Sequence, residues 1–219
     1  MSEKDVLMDA QRSFERLQEG NRRFVANVRG ADAILSQVRR AELVANQNPF
    51  AIVLSCSDSR VPAEIVFDQG LGDLFVIRVA GNIVAPSQLG SVEFAVERFQ
   101  TRLVVVMGHT RCGAIEATLD SLMLPHAKPS ESVMSIVRRV MPSVKALVEL
   151  DPEADRAILA RAAVRANIRA SANQLRHGSA LLERYGQEEG LVILAAEYDL
   201  ETGTVEFFDD GAPFPIAAR

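Results

Sequence analysis

Two short apolar runs, each followed at once by a polar cluster, constrain the fold of this chain more than any other feature. The first run is Ala51–Leu54 and the second is Leu103–Met107. Apolar runs of this length without polar alternation are typical of strands that are buried on both faces of a parallel sheet. Helical patterns separate these runs from further strand-like segments, so the sequence predicts an α/β fold.

The other strand-like segments complete the predicted sheet. Leu74–Val79 and Leu191–Ala196 are apolar, and Thr204–Phe208 returns antiparallel after a hairpin-type turn at Asp199–Gly203. We therefore predict a single α/β domain over residues 1–219. It has a mostly parallel central sheet, an antiparallel C-terminal edge strand, flanking helices and an N-terminal helical arm.

The helical arm is predicted over residues 1–46, outside the alternation of strands and helices. Apolar residues recur at roughly helical spacing in Asp9–Val28, with Gly20-Asn21 as a candidate break, and a second helix is expected over Ala33–Asn46. Two interpretations stay open. The arm packs on the chain's own sheet, or it embraces a partner subunit.

Two prolines bear on the later helices. Pro142 is expected to kink or end a helix that starts at Ser130 or Ser132. Asp151-Pro152 predicts the start of a long alanine- and arginine-rich helix, with Asp151 as its N-cap.

The polar clusters after the two buried runs contain both cysteines of the chain. Cys56, Asp58 and Arg60 alternate, so their side chains leave on the same side if the backbone stays extended. His109 and Cys112 lie three residues apart, a usual spacing for two metal ligands on a tight turn. Because parallel strands end at one edge of a sheet, Cys56, His109 and Cys112 are expected to converge there.

Two thiolates and one imidazole suit zinc. Three protein ligands with a vacant fourth position are typical of a catalytic rather than a structural zinc site. Each residue also has a plainer interpretation, since a single cysteine is more often an inert buried thiol. Asp58 and Arg60 are likewise compatible with a structural ion pair. The shared strand ends and the three-residue spacing favour metal ligation.

Charge and hydropathy limit which binding partners and which cellular compartment are expected for this chain. With 24 Lys and Arg against 29 Asp and Glu the net charge is −5, which argues against nucleic acid or an acidic membrane surface as a main partner. No run approaches the ~20 apolar residues of a membrane span. The N-terminus lacks the apolar segment of a secretory signal. We expect a cytoplasmic protein whose cysteines are free or metal-bound.

Several segments resemble the β-class carbonic anhydrases. They are CSDSRVPAE at 56–64, GDLFVIRVAGN at 72–82, GHTRCGAIEA at 108–117 and, as the closing hairpin, DLETGTVEFF at 199–208. The resemblance covers most of the chain, from about Gln47 to Phe208, and the combination of CxDxR with a strand-borne HxxC is specific.

The resemblance implies a zinc enzyme that reversibly hydrates CO2 to bicarbonate and a proton. One zinc ion per subunit would be held by Cys56, His109 and Cys112, and zinc-bound hydroxide would attack CO2. Asp58 and Arg60 resemble the family's dyad, in which the guanidinium keeps the carboxylate ionised. The carboxylate then accepts the hydrogen bond of the hydroxyl and orients it.

The resemblance also implies four substrate-binding positions. Gln47 stands where plant-type members carry a glutamine that donates to a substrate oxygen, although a solvated loop residue is the plainer interpretation. Phe75 and Ala80 align with apolar pocket positions, and the small Ala80 would widen the pocket. Gly113 begins a helix, so its N–H is expected to face the substrate oxygen or a thiolate.

The chain has no tryptophan, so the tryptophan-containing, bicarbonate-regulated pocket of some members is not expected. We favour an always-open, plant-type-like site. Two alternatives stay open: a zinc hydrolase of COS or CS2 on the same fold, and a non-catalytic zinc protein with Asp58 as fourth ligand. The family resemblance further implies a homodimer or a tetramer of paired dimers.

Overall fold

A computed structural model describes residues 3–28, 37–124, 129–208 and 212–216. Its five strands are β1 (Ala51–Ser55), β2 (Leu74–Arg78), β3 (Leu103–His109), β4 (Val192–Tyr198) and β5 (Val205–Phe207). They form one sheet in the order β2-β1-β3-β4-β5, in which only the β4–β5 pair is antiparallel. The predicted mostly parallel sheet with an antiparallel C-terminal edge strand is confirmed.

The central strands are apolar on both faces because helices cover both faces. Every residue of β1, β3 and β4 is buried. The helices are α1 (Glu3–Val25), α2 (Gln37–Glu42), α3 (Ala63–Val66), α4 (Pro86–Phe99), α5 (Gly113–Met123), α6 (Glu131–Leu150), α7 (Arg156–His177) and α8 (Ala180–Glu188). Helices α4 to α8 pack on one face, and α1 and α3 pack on the other. Within the described ranges, none of these helices is long and apolar enough to cross a membrane.

Helix α1 packs on the chain's own sheet, as the first interpretation of the arm holds. Phe14 is buried, and its ring lies edge-on to Phe207 with the centroids 4.9 Å apart. Two ion pairs fasten the polar side of the helix: Arg16 to Asp73 at 2.9 Å and Arg23 to Asp68 at 2.6 Å. The part of the predicted second helix over residues 33–36 lies outside the described residues.

The candidate break at Gly20-Asn21 is wrong, because α1 continues through it. A Cβ built on Gly20 would lie 1.8 Å from the Phe67 carbonyl oxygen. This glycine therefore serves close approach between α1 and the segment after α3 rather than helix termination. Asn21 spans the same contact, since its amide donates to the carbonyls of Val66 and Gly203.

Two expectations about helix ends also need correction. Pro142 does not end α6, which runs on to Leu150 with Val140 and Val144 buried on its core-facing side, and a kink at Pro142 stays a prediction. The cap of α7 is Asp155, whose Oδ1 accepts from the N–H groups of Ala157 and Ile158, instead of Asp151. Asp151 still donates its own N–H to Leu147, so it closes α6.

Candidate metal centre

Two parallel strands bring the three predicted ligands together. Cys56 directly follows β1, His109 is the last residue of β3, and Cys112 is the N-cap of α5. Strands β1 and β3 are neighbours, with Ser55 paired to Met107, so their carboxyl ends lie side by side. The ligand atoms of the three residues all lie within 4.8 Å of one another, and all three residues are buried.

The His109 ring is oriented for ligation through Nε2. Its Nδ1 lies 2.9 Å from the carbonyl oxygen of Thr110. A carbonyl only accepts, so this contact assigns the proton to Nδ1 and leaves the Nε2 lone pair free. Nε2 is buried and has no hydrogen-bond partner among the described residues. An orphaned buried nitrogen beside two thiols fits a metal ligand.

The two thiols influence one another. Both cysteines are free. A hydrogen bond from the Cys112 thiol lowers the pKa of Cys56 below the usual range of a thiol. The same contact, with burial, raises the pKa of Cys112. Backbone N–H groups also reach the sulfurs, as the Gly81 N–H does at 3.4 Å from Cys56 Sγ. A divalent cation favours the thiolate form of both groups, so the donor set fits zinc.

Asp58 and Arg60 form a paired carboxylate and guanidinium beside these donors. Arg60 donates from Nε to Oδ1 at 2.9 Å, from Nη2 to Oδ2 at 2.8 Å and from its backbone N–H to Oδ1 at 3.0 Å. These bonds hold the pKa of Asp58 well below its usual range. Asp58 Oδ2 lies 3.9 Å from His109 Nε2, so the pair borders the metal donors.

The backbone does not stay extended through this cluster. The Val61 N–H donates to the Asp58 carbonyl at 3.0 Å, which closes a turn over Asp58–Val61. Arg60 therefore reaches Asp58 by folding back over this turn. The sequence interpretation assumed an extended backbone, in which strand alternation would place the two side chains on the same side. The turn, and not strand alternation, brings them together.

Arg78 is a supporting residue that the sequence interpretation missed. It donates from Nε to the Cys56 carbonyl at 3.1 Å and from Nη2 to the Asp58 carbonyl at 2.7 Å. The loop between a metal donor and the carboxylate is thus held from β2. The sequence feature that could have indicated this role is the single arginine at the end of the otherwise apolar strand LFVIR.

Two of the predicted substrate positions, Gln47 and Phe75, are associated with a surface cleft, and their contact with substrate stays a prediction. Gln47 is exposed and lines a surface cleft of about 680 Å³ together with Phe94 and Phe99. Phe75 packs on the same two rings, with centroids 6.3 and 5.9 Å away. Within the part of the chain that the structure describes, the residues lining this cleft include none of the three metal donors.

The other two predicted positions adjoin the metal donors in sequence. Ala80 opens the 3₁₀ turn Ala80–Asn82, whose Gly81 contacts Cys56 Sγ. Gly113 follows Cys112 as the first residue of α5. A Cβ on Gly113 would meet nothing within 4 Å, so space alone does not require glycine there. Contact of either residue with substrate stays a prediction.

A family model described as carbonic anhydrase matches residues 51–205, which is more than half of the chain. The chain belongs to the β-carbonic anhydrase family. The matched stretch contains every predicted ligand and dyad residue described above, from Cys56 to Cys112. Gln47 lies outside it.

Curated relatives and solved structures agree with this membership. A carbonic anhydrase of Mycolicibacterium smegmatis is 48% identical over 134 residues, covering 60% of this chain and 63% of that protein. The chain thus spans about three fifths of that relative's length. Carbonic anhydrase 1 of Escherichia coli O157:H7 is 37% identical over 188 residues, covering 81% and 83%. Tetrameric β-carbonic anhydrases from Sordaria macrospora share the fold, with a TM-score of 0.69 at 22% identity over 78% of this chain and 85% of that one.

Proposed function

We propose that this chain is a zinc carbonic anhydrase that reversibly hydrates CO2 to bicarbonate and a proton. The observation that carries the proposal is the buried Cys56, His109 and Cys112 group, with Asp58 Oδ2 at 3.9 Å from His109 Nε2. Family membership and the activity named for the curated relatives support the reaction.

The residues present fit one zinc ion per subunit. Two sulfurs and the orphaned His109 Nε2 are the soft and borderline donors that zinc prefers, and three protein ligands leave a position for a small molecule. When bound, zinc supplies a Lewis acid that lowers the pKa of a coordinated water and so provides a nucleophile near neutral pH.

Asp58 and Arg60 orient the reacting group in this proposal. Arg60 occupies both carboxylate oxygens and keeps Asp58 ionised. An ionised carboxylate accepts hydrogen bonds and does not donate them. Asp58 therefore holds an O–H group on its side of the site and turns the oxygen lone pair toward the substrate carbon. Because Arg60 engages Asp58 so fully, we propose an open site rather than one closed by Asp58.

Assembly completes the substrate pocket in this proposal. The cleft that holds Gln47 is lined by exposed apolar side chains, with Phe94 55% and Val44 85% exposed. Surfaces of this kind are typical of subunit interfaces. We propose a homodimer, or a tetramer of paired dimers, that buries this cleft; the Sordaria macrospora proteins are tetrameric. Gln47 donates to a substrate oxygen in the assembled site, and Phe75 packs beneath that cleft.

Ala80 and Gly113 are the two smaller pocket positions in the same proposal. Ala80 leaves room beside the metal donors, and Gly113 presents its N–H at the start of α5, where a helix attracts an anion such as bicarbonate.

Two free cysteines serving as ligands require a reducing environment, which supports the cytoplasm.

Stopped-flow CO2 hydration by the zinc-loaded protein, from neutral to alkaline pH, tests the proposal. Fast hydration with one apparent ionisation and no collapse at the lower end supports the open carbonic anhydrase. Hydration confined to high pH would instead indicate that Asp58 closes the site. If zinc is bound and CO2 is not hydrated at any pH, sulfide release from COS and CS2 separates a hydrolase of those substrates from a non-catalytic zinc protein.

A further inference from the structure

A buried amide in α7 holds the turn whose Gly81 N–H contacts the predicted metal ligand Cys56. Asn167 lies in α7 between apolar neighbours and is only 2% exposed. Its Nδ2 donates to the Gly81 carbonyl at 2.8 Å, across 86 residues of sequence. A buried amide is stabilised only if it is hydrogen-bonded, so this contact ties α7 to the turn after β2.

The turn that Asn167 holds is itself constrained. Gly81 adopts φ +70° and ψ 17°, a left-handed conformation that costs other residues more than glycine. The turn is anchored to β1 through the Val79 N–H, which donates to the Ser55 carbonyl at 3.0 Å. A Cβ on Gly81 would lie 3.0 Å from the Ala114 Cβ, so α5 closes the remaining side.

The turn directs one N–H group at a metal donor. The Gly81 N–H lies 3.4 Å from Cys56 Sγ, a normal distance for a hydrogen bond to sulfur. The two peptide groups flanking the Gly81 Cα thus face different partners: one carbonyl toward Asn167 and one N–H toward Cys56. Because hydrogen bonds of Val79 and Asn82 anchor the turn on either side of Gly81, a rotation of one of these peptide groups has to be compensated by the dihedral angles of the other.

We propose that Asn167 is a positioning residue for the metal centre. By holding the Gly81 carbonyl, it keeps the Gly81 N–H donating to Cys56 Sγ and so sets the electron density and the orientation of that thiolate. The inference rests on the proposed function, because it assumes that Cys56 ligates zinc. Outer hydrogen bonds of this kind tune metal affinity and ligand basicity.

The test compares Asn167→Leu with Leu175→Ala in the full-length protein. Leucine has the same branching at Cγ as asparagine but is larger and has no hydrogen-bond donor. Leu175 is fully buried in the same helix, two turns away, so its variant loosens the core without touching the turn. Zinc release to excess chelator is timed, and the cobalt(II)-substituted proteins are examined for their thiolate-to-metal absorption.

For Asn167→Leu we expect zinc release to be at least about 10-fold faster. The cobalt absorption should move to longer wavelength, because a thiolate without its N–H donor is easier to oxidise. Leu175→Ala should lower the free energy of unfolding and leave both readouts at wild-type values. Asn167→Ser, whose hydroxyl is too short to reach Gly81, should repeat the result and serves if the leucine variant does not fold.

Unchanged zinc release and an unchanged cobalt spectrum in the Asn167 variants would overturn the inference. So would equal changes in Leu175→Ala, which would mean that any loosening of α7 has the same effect. A wild-type protein that binds both ions and does not hydrate CO2 refutes the proposed function alone, since both readouts are still measured. A wild-type protein that binds neither ion refutes both.

Discussion

Replacing Asp58 by Asn tests the assignment of the carboxylate most directly. The substitution preserves the shape of the side chain and removes its charge. In the native site Arg60 donates to Oδ2 from Nη2 at 2.8 Å and to Oδ1 from Nε at 2.9 Å. An amide accepts at one atom only, so its NH2 group would oppose one of these donors. The pairing that orients the side chain is lost on that side.

The expected loss follows from the role of the group. Removing one preorganised hydrogen-bonding group that acts on the reacting atoms costs about 100- to 1,000-fold in turnover, or about 3–4 kcal/mol of activation free energy. We therefore expect kcat for CO2 hydration to fall at least about 100-fold. Zinc content should stay at one per chain, because Asp58 is not among the three residues whose ligand atoms converge.

Stopped-flow hydration and zinc analysis of the same preparations measure both quantities. Glu64→Gln is the matched control, since it makes the same chemical change at an exposed position in α3. It should keep both wild-type values. If Asp58→Asn is as active as wild type, the dyad role is wrong. If it is inactive because it no longer binds zinc, Asp58 is a fourth ligand and the site is closed.

Three further perturbations test the metal donors, the packing of α1 and a buried acid. His109→Ala should weaken zinc binding by more than about 100-fold in chelator competition, with unchanged circular dichroism, because a ligand matters more than its outer partners; wild-type affinity would exclude His109 from the site. Gly20→Ala should destabilise by about 3 kcal/mol in urea unfolding, because its Cβ would overlap the Phe67 carbonyl, whereas Gly90→Ala, in open space within α4, should stabilise by about 1 kcal/mol; equal effects would contradict the close approach of α1 to Phe67. Burial raises the pKa of Glu197, so the folded state favours its neutral form. The stabilisation that neutral Glu197 contributes to the folded state is complete at pH values below the ordinary pKa of a glutamate. It is lost as the pH rises through the raised pKa of the folded state. The unfolding free energy of wild type minus that of Glu197→Gln should therefore fall as the pH rises above the ordinary pKa of a glutamate, and a constant or rising difference would refute this.

Several features of the fold were predictable because they depend on local patterns. Uninterrupted apolar runs predicted β1 and β3, and strands buried on both faces required helices on both sides of the sheet. Cys56 follows β1, and His109 is the last residue of β3. Their convergence was predictable because parallel neighbours end at the same edge.

Errors arise where a residue's role depends on a distant segment. Glycine weakens helices, so the sequence predicts a break at Gly20, but the missing Cβ of this residue accommodates the Phe67 carbonyl. Asp151 and Asp155 both precede α7, and only the three-dimensional path shows that Asp151 still belongs to the last turn of α6. A local pattern cannot distinguish these alternatives.

By itself the sequence determined the α/β class, the parallel direction of the central strands and the three donors that meet at their ends. Tertiary structure alone decided how the site is supported. Arg78 holds the loop after Cys56 from a neighbouring strand, and Asn167 reaches the Gly81 turn across 86 residues. Gln47 lines a cleft whose described lining residues include none of the three donors. Periodicity reports which residues are buried, whereas contacts between remote segments depend on how the elements pack, and no local pattern encodes that.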